Sequence, residues 1–104
     1  MIVTNTDFIT GKEIKEVIGL VRGNTIQAKS IGKDMVAGFR HMVGGEIKEY
    51  TNMLSEAREI SLKRMEEKAK KLNADAIINV RFMTSAVMAG AAEILVYGTA
   101  VKLK

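Results

Sequence analysis

The chain has 104 residues, no cysteine and a formal net charge of +4. This length fits a single domain, residues 1–104, and the lack of cysteine excludes disulfides and thiolate chemistry. The longest uncharged stretch, residues 82–92, is far shorter than the roughly 20 residues of a membrane span. We therefore expect a cytoplasmic protein with no membrane partner.

The basic excess, with a pI of about 9.5, raises the question of nucleic-acid binding. The basic residues of the long charged segment alternate with acidic ones: Lys63, Arg64, Lys68, Lys70 and Lys71 among Glu59, Glu66 and Glu67. Such a mixture is typical of a solvated helix face, and no aromatic residues are interleaved for base stacking. Nucleic acid is therefore not the expected partner.

Short β-strands are predicted in the N-terminal part of the chain. A β-branched run over residues 1–4 ends at the turn residues Asn5-Thr6-Asp7, and residues 14–21 follow as one strand or two. Gly19 indicates a bulge, and Gly23-Asn24 indicates a turn. A helix over residues 12–20 remains an alternative.

The apolar period then changes to that of a helix. Residues 31–43 place Met35, Val36, Phe39, Met42 and Val43 on one helical stripe. Gly44-Gly45 is the matching stop signal.

A second, longer helix is predicted over residues 46–72. Its apolar stripe consists of Ile47, Tyr50, Leu54, Ala57, Met65 and Leu72, with Met53 and Ile60 beside it. At 1.5 Å per residue this helix is roughly 40 Å long, against about 33 Å for the diameter of a compact chain of this length. We expect other subunits to cover its ends.

Two more strands complete the order β-β-α-α-β-β. The first, residues 76–83, is predicted to place Ile78, Val80 and Phe82 on one face, and residues 84–92 to form a mobile connection. The last strand, residues 93–103, is apolar on both faces, which indicates cover from both sides and hence association.

The single histidine, His41, is the only candidate metal ligand with an imidazole. One His and no Cys make an intrachain zinc site improbable, and a structural His is the favoured interpretation. A site built from several copies of His41, or from His41 with Met35 and Met42 for Cu(I), stays open as the alternative.

Other chemistry is sparse in this sequence. Gly44-Gly45 before a helix start can bind an anion, although a tight turn between helices is favoured. No local nucleophile motif and no nucleotide-binding motif is present. We therefore expect no catalytic activity.

Several short motifs, in order along nearly the whole chain, resemble the YbjQ-like family of uncharacterised proteins. They are Thr4-Asn5-Thr6, Gly11 to Ile14, Gly19-Leu20-Val21, Gly44-Gly45 with Tyr50, Ala57-Arg58, Ala74 to Phe82 and Gly98 to Val101. The resemblance implies an α+β fold, an antiparallel sheet backed by helices, and a homopentamer. Some members carry a heavy-metal-binding label, whereas this chain has no Cys and its single His lies outside the matched motifs. It also departs from the family pattern after the double glycine, with Glu46-Ile47 and Thr51 where members commonly have Arg-Ser and an acidic residue.

Together these observations predict an α+β homo-oligomer, expected to be a pentamer, with one long helix packed on the sheet. It would be non-catalytic and would bind a small ligand or metal ion where subunits meet. The candidate ligand-binding residues are Thr6, Gly44, Gly45, Tyr50 and Arg58. The alternatives are an enzyme with an intersubunit pocket, in which Tyr50 and Arg58 converge with Glu56, or an assembly scaffold without ligand.

Overall fold

The computed structural model describes residues 1–28, 42–43 and 46–104. Three candidate site residues, His41, Gly44 and Gly45, lie outside the described residues. So does most of the predicted first helix, residues 31–43; its last two residues form a short strand instead.

Six strands and one helix are described. They are β1 (Ile2–Val3), β2 (Ile14–Ala28), β3 (Met42–Val43), β4 (Glu46–Ile47), α1 (Lys48–Lys71), β5 (Ala76–Met88) and β6 (Ala91–Leu103). The main sheet has the order β1-β5-β6-β2, and β3 pairs with β4. Because β1 runs parallel to β5 while the other pairs are antiparallel, the sheet is mixed. The expectation of a purely antiparallel sheet is therefore wrong.

Strand β2 is continuous across the position where a turn was predicted. It pairs with β6 from Ile14↔Leu103 to Ala28↔Ala91, so Gly23-Asn24 lies inside the ladder and the helical alternative for residues 12–20 is also wrong. The bulge at Gly19 is confirmed by a register shift after Val17 and by a φ of 146°. A glycine tolerates this φ because it has no β-carbon.

Strands β5 and β6 form a hairpin that extends well beyond its predicted length. Residues 84–92, expected to form a mobile connection, are instead paired between β5 and β6 as far as Met88↔Ala91. A tight turn at Ala89-Gly90 joins the two strands. Gly90 has a φ of 76°, which the turn requires. The prediction of a mobile connection from the small residues of this segment is therefore wrong.

A bulge at Asn79 divides β5 into two parts. The register shifts between Ile78 and Arg81, and Asn79 adopts a φ of 53°. As a result Val80 shares a core with Ile77, while Ile78 packs on the other side of the sheet. The prediction that Ile78 and Val80 lie on one face is therefore wrong.

Helix α1 confirms the predicted long helix and has clear end signals. Glu49 lies in its first turn, and Lys68, Lys70 and Lys71 lie in its last, as the helix dipole favours. At the C-terminus the amide of Ala74 donates to Ala69 O, and that of Asn73 to Lys70 O. With Asn73 at a φ of 60°, these two bonds form a Schellman motif.

The buried stripe of α1 differs from the predicted one. Its members are spaced four residues apart: Met53, Ala57, Ser61, Met65 and Ala69. Four residues span about 400° of an α-helix, so this stripe winds slowly around α1. Leu72, which was predicted to be in the stripe, is exposed.

The molecule is elongated, with a long dimension of 53 Å and a radius of gyration of 17.0 Å. A compact chain of this length has a radius near 13 Å. At 1.5 Å per residue α1 is about 36 Å long, whereas β2 at about 3.3 Å per residue reaches some 50 Å. The helix therefore lies along a sheet that is at least as long, and its length alone does not require other subunits.

Two hydrophobic clusters lie on opposite faces of the sheet. The larger lies between the sheet and α1 and contains Val21, Met65, Ala69, Ile77, Val80, Val96 and Ala100. The smaller, of Ala76, Ile78 and Val101, packs against Ile2, Ile9, Ile14 and Leu103. The smaller cluster lies at the β1 end of the sheet, which leaves the rest of that face without a covering layer among the described residues.

Candidate functional site

An apolar cleft of about 310 Å³ lies between the start of α1 and the tip of the β5–β6 hairpin. Tyr50, Met53 and Leu54 line it from the helix, and Ala86, Met88 and Ala89–Ala92 line it from the hairpin. Tyr50 is half-buried here. Of the candidate ligand-binding residues that the structure describes, Tyr50 alone lines this cleft.

The other described candidates lie elsewhere. Arg58 is exposed on α1 next to the buried Ala57, and Glu56, its expected partner in the enzyme alternative, is exposed as well. Thr6 lines a separate cleft of about 260 Å³ with Ile2, Thr4, Phe8, Ile9 and Thr10. A single chain therefore does not assemble Thr6, Tyr50 and Arg58 into one site.

Thr6 instead organises the N-terminal segment against β5. Its hydroxyl lies 2.9 Å from that of Thr4 and donates to the carbonyl of Phe8. Its own carbonyl accepts a 2.9 Å hydrogen bond from the amide of Asn79, the bulge residue of β5. These contacts give Thr6 a structural role.

The described residues do not supply a metal-binding donor set. No three His, Asp or Glu side chains converge within residues 1–28, 42–43 and 46–104, and the whole sequence has no Cys. Heavy metals are held by thiolate, imidazole or thioether ligands in convergent arrangements. The described part of one chain does not fit a metal site.

A row of one tyrosine between two arginines crosses the sheet on the face away from α1. Tyr97 of β6 is the direct partner of Arg22 on β2 and of Arg81 on β5. Direct cross-strand partners share one face, and the neighbours Val21, Val80 and Val96 are buried toward α1. Arg22, Tyr97 and Arg81 therefore form one row on the opposite face.

Sequence reasoning missed this row because its members are separated by up to 75 positions along the chain. Only the strand register brings them together. Arg81 lies within the motif Ala74 to Phe82, but no pattern in the sequence connects it with Arg22 or Tyr97.

The outer half of β5, residues 81–88, is exposed along its whole length. It contains four large apolar residues, Phe82, Met83, Val87 and Met88, of which Met88 is 70% exposed. On the outer side of β5, strand β1 reaches only Ala76 and Ile77. Backbone hydrogen bonds with Thr4 and Thr6 extend only as far as the amide of Val80, which donates to the carbonyl of Thr4. Beyond Val80 no described strand pairs with this edge.

The chain belongs to the YbjQ family, whose model is described as "Putative heavy-metal-binding" and matches residues 1–104. Among curated relatives, a UPF0145 protein of Methanosarcina acetivorans is 62% identical over 99% of this chain and 97% of its own length. A UPF0145 protein of Archaeoglobus fulgidus is 56% identical over 100% of this chain and 96% of its own length. The resemblance seen in the sequence motifs is thus confirmed.

A solved structure shares the fold. It is the crystal structure of a protein with unknown function of the DUF74 family from Pediococcus pentosaceus, with a TM-score of 0.65 and 18% sequence identity. The match covers 100% of this chain and 98% of the other. At this identity the likeness concerns the α+β fold alone. Separately, none of the described helices is long and apolar enough to cross a bilayer.

Proposed function

We propose that this protein is a non-catalytic, cytoplasmic homo-oligomer that holds a small ligand where its subunits meet. Five copies are expected, as the family resemblance implies. The observation that carries the proposal is the outer half of β5, an exposed and apolar strand at the edge of the main sheet.

An edge strand of this kind is an attachment surface. Proteins usually blunt a free strand edge with charged residues, proline or a covering segment. From Phe82 to Met88 the strand has no charge and no proline, and no described segment covers it. Exposed apolar residues that lie next to each other mark sites of protein association.

Association at this strand would also complete the cleft at Tyr50. The cleft is bounded on one side by Ala86, Met88 and the hairpin turn, all at the end of the same edge. A neighbouring copy that packs against residues 81–88 would narrow the opening of the cleft and place Tyr50 and Leu54 at a subunit junction. The apolar lining favours an apolar ligand in this cleft over a metal ion.

Native mass spectrometry of the untagged protein tests this proposal. We expect a mass of about five times the 11.4 kDa of one chain. Extra mass in a fixed ratio would reveal the ligand, and its absence would favour an assembly scaffold. A monomeric wild-type protein would overturn the proposal.

The chain offers a matched pair of variants. Val87 and Leu72 are both 48% exposed, but Val87 lies on the outer half of β5 and Leu72 lies at the end of α1. Val87→Lys should dissociate the assembly because it places a charge in the contact, and Leu72→Lys should leave the mass unchanged. Equal masses for the two variants would show that this strand is not the contact.

A further inference from the structure

We propose that the row Arg22–Tyr97–Arg81 on the open face of the sheet is an anion-binding site, and that its ligand is a phosphate or carboxylate group attached to an apolar body. This site is separate from the Tyr50 cleft and does not require assembly of several copies.

The register of three adjacent strands fixes the geometry of the row. Arg22 and Arg81 each lie directly opposite Tyr97, and neighbouring strands are about 4.8 Å apart, so the two arginine backbones are separated by roughly 10 Å. An anion above the Tyr97 ring is within the reach of two long side chains at this separation. Guanidinium groups bind phosphate and carboxylate through paired N–H donors.

Arg81 is already held in place on one side. Its Nη1 donates to the carbonyl of Asn5 at 2.9 Å and to that of Val80 at 3.0 Å. These bonds use one nitrogen of the guanidinium, so its other N–H groups remain available for a ligand. Holding the side chain in advance lowers the entropy that binding would cost.

The positive charge of the row is not neutralised by the described residues. Neither Arg22 nor Arg81 forms an ion pair with a described carboxylate. Glu93 lies on the same face, but its backbone is four residues from that of Tyr97 along β6, a separation of about 13 Å. The Glu93 carboxylate accepts a hydrogen bond from the Asn24 side chain. Two guanidinium groups without a carboxylate partner among the described residues favour an anion between them.

The surroundings of the row define the rest of the ligand. On the same face the next row contains Met83 and Leu95, and the row on the other side contains Leu20. Leu20 is 68% exposed and Met83 is 51% exposed. A ligand with an anionic head between the arginines can therefore place an apolar body over these side chains and bury them.

Tyrosine fluorescence provides a direct readout. The chain has two tyrosines and no tryptophan, so the Tyr50→Phe protein reports on Tyr97 alone. We would titrate this protein with hexyl phosphate, inorganic phosphate and hexanol. We expect a saturable change in Tyr97 emission with hexyl phosphate, binding at least about tenfold weaker for inorganic phosphate, and no saturation with hexanol.

Two variants in the Tyr50→Phe background test the role of the arginines: Arg22→Gln and Arg81→Gln. Each should weaken the binding of hexyl phosphate by at least about tenfold, because each removes a charge-assisted hydrogen bond. The control is Lys63→Gln, which removes one positive charge from an exposed position on α1 and should leave the affinity unchanged. Circular dichroism would verify that each variant folds. Absence of a saturable response, or equal affinities for Arg22→Gln and Lys63→Gln, would overturn the proposal.

The native mass of the same preparations separates the two proposals. A monomer that binds hexyl phosphate would contradict the assembly and leave the anion site standing. A five-copy assembly with no response of Tyr97 would contradict the anion site alone.

Discussion

Gly23 of β2 lies directly against the backbone carbonyl of Ser61 in α1, with no room for a β-carbon between them. A methyl group at position 23 would also collide with the amide of Met65. The helix can approach β2 this closely only because its buried stripe has small residues, Ala57, Ser61 and Ala69, along part of the contact. Gly23 is therefore a packing residue, not a turn residue.

Replacement of Gly23 by alanine should destabilise the fold strongly. The added methyl group meets helix backbone, which cannot rotate away, so α1 and β2 must separate. Overpacking usually costs 1–3 kcal/mol, and we expect Gly23→Ala to cost about 3 kcal/mol or more. Urea denaturation followed by circular dichroism, at one fixed protein concentration, would measure the loss.

Gly98→Ala is the informative comparison. A β-carbon at position 98 of β6 would lie 2.7 Å from Cγ2 of Ile77 and 3.0 Å from both the carbonyl oxygen of Ile78 and Cγ2 of Val80. The closest atom belongs to a side chain, and the backbone contact is longer than those at position 23, so this variant should lose less stability than Gly23→Ala. The reverse order would show that the close approach of α1 to β2 is not what requires Gly23.

The buried Ser61 should contribute through one hydrogen bond. Its hydroxyl is fully buried and donates to the carbonyl of Ile94 at 3.0 Å, which ties α1 to β6. Ser61→Ala should lower the free energy of unfolding by about 1 kcal/mol, the usual value for such a bond. Ser55→Ala is the control, because Ser55 is exposed on the same helix and should change stability by less than about 0.5 kcal/mol.

The end of α1 should depend on the conformation of Asn73. At a φ of 60° this residue occupies the left-handed region. Most residues lose roughly 1–2 kcal/mol there because of their β-carbon, whereas Gly has no β-carbon, and the side chains of Asn and Asp can offset the cost by local hydrogen bonds. Asn73→Ala should therefore lower the thermal midpoint, whereas Asn73→Gly should leave it nearly unchanged. Differential scanning calorimetry would resolve the two; equal losses for Ala and Gly would point to side-chain contacts of Asn73 instead.

Much of this fold could be predicted from local patterns. The helical apolar period with mixed charges over residues 46–72 identified α1, and apolar strand-like runs identified parts of β2, β5 and β6. The failures share one cause. Gly23 and the small residues of 84–92 are ordinary loop signals, but here contacts with α1 and with β6 decide the conformation.

The candidate site was less predictable than the fold. Tyr50 lines the cleft between α1 and the β5–β6 hairpin, whereas Thr6 lines a separate cleft in the N-terminal segment. Arg58 lines neither of these two clefts. The Arg22–Tyr97–Arg81 row depends on which residues face each other across β2, β6 and β5. Bulges at Gly19 and Asn79 shift that register by one residue each, and no local sequence period encodes such a shift.

The bulge at Asn79 makes the backbone conformation of one residue as important as the composition of β5. It absorbs one extra residue, so that Val80 faces α1 and Arg81 faces the open side of the sheet. Deletion of Asn79 would remove the bulge and leave both residues on their present faces. In a regular ladder with the same sequence, by contrast, every residue after Asn79 would turn to the opposite face, and Arg81 would point at the hydrophobic core under α1. The left-handed conformation of Asn79 thus decides which side chains of the outer half of β5 lie beside Tyr97.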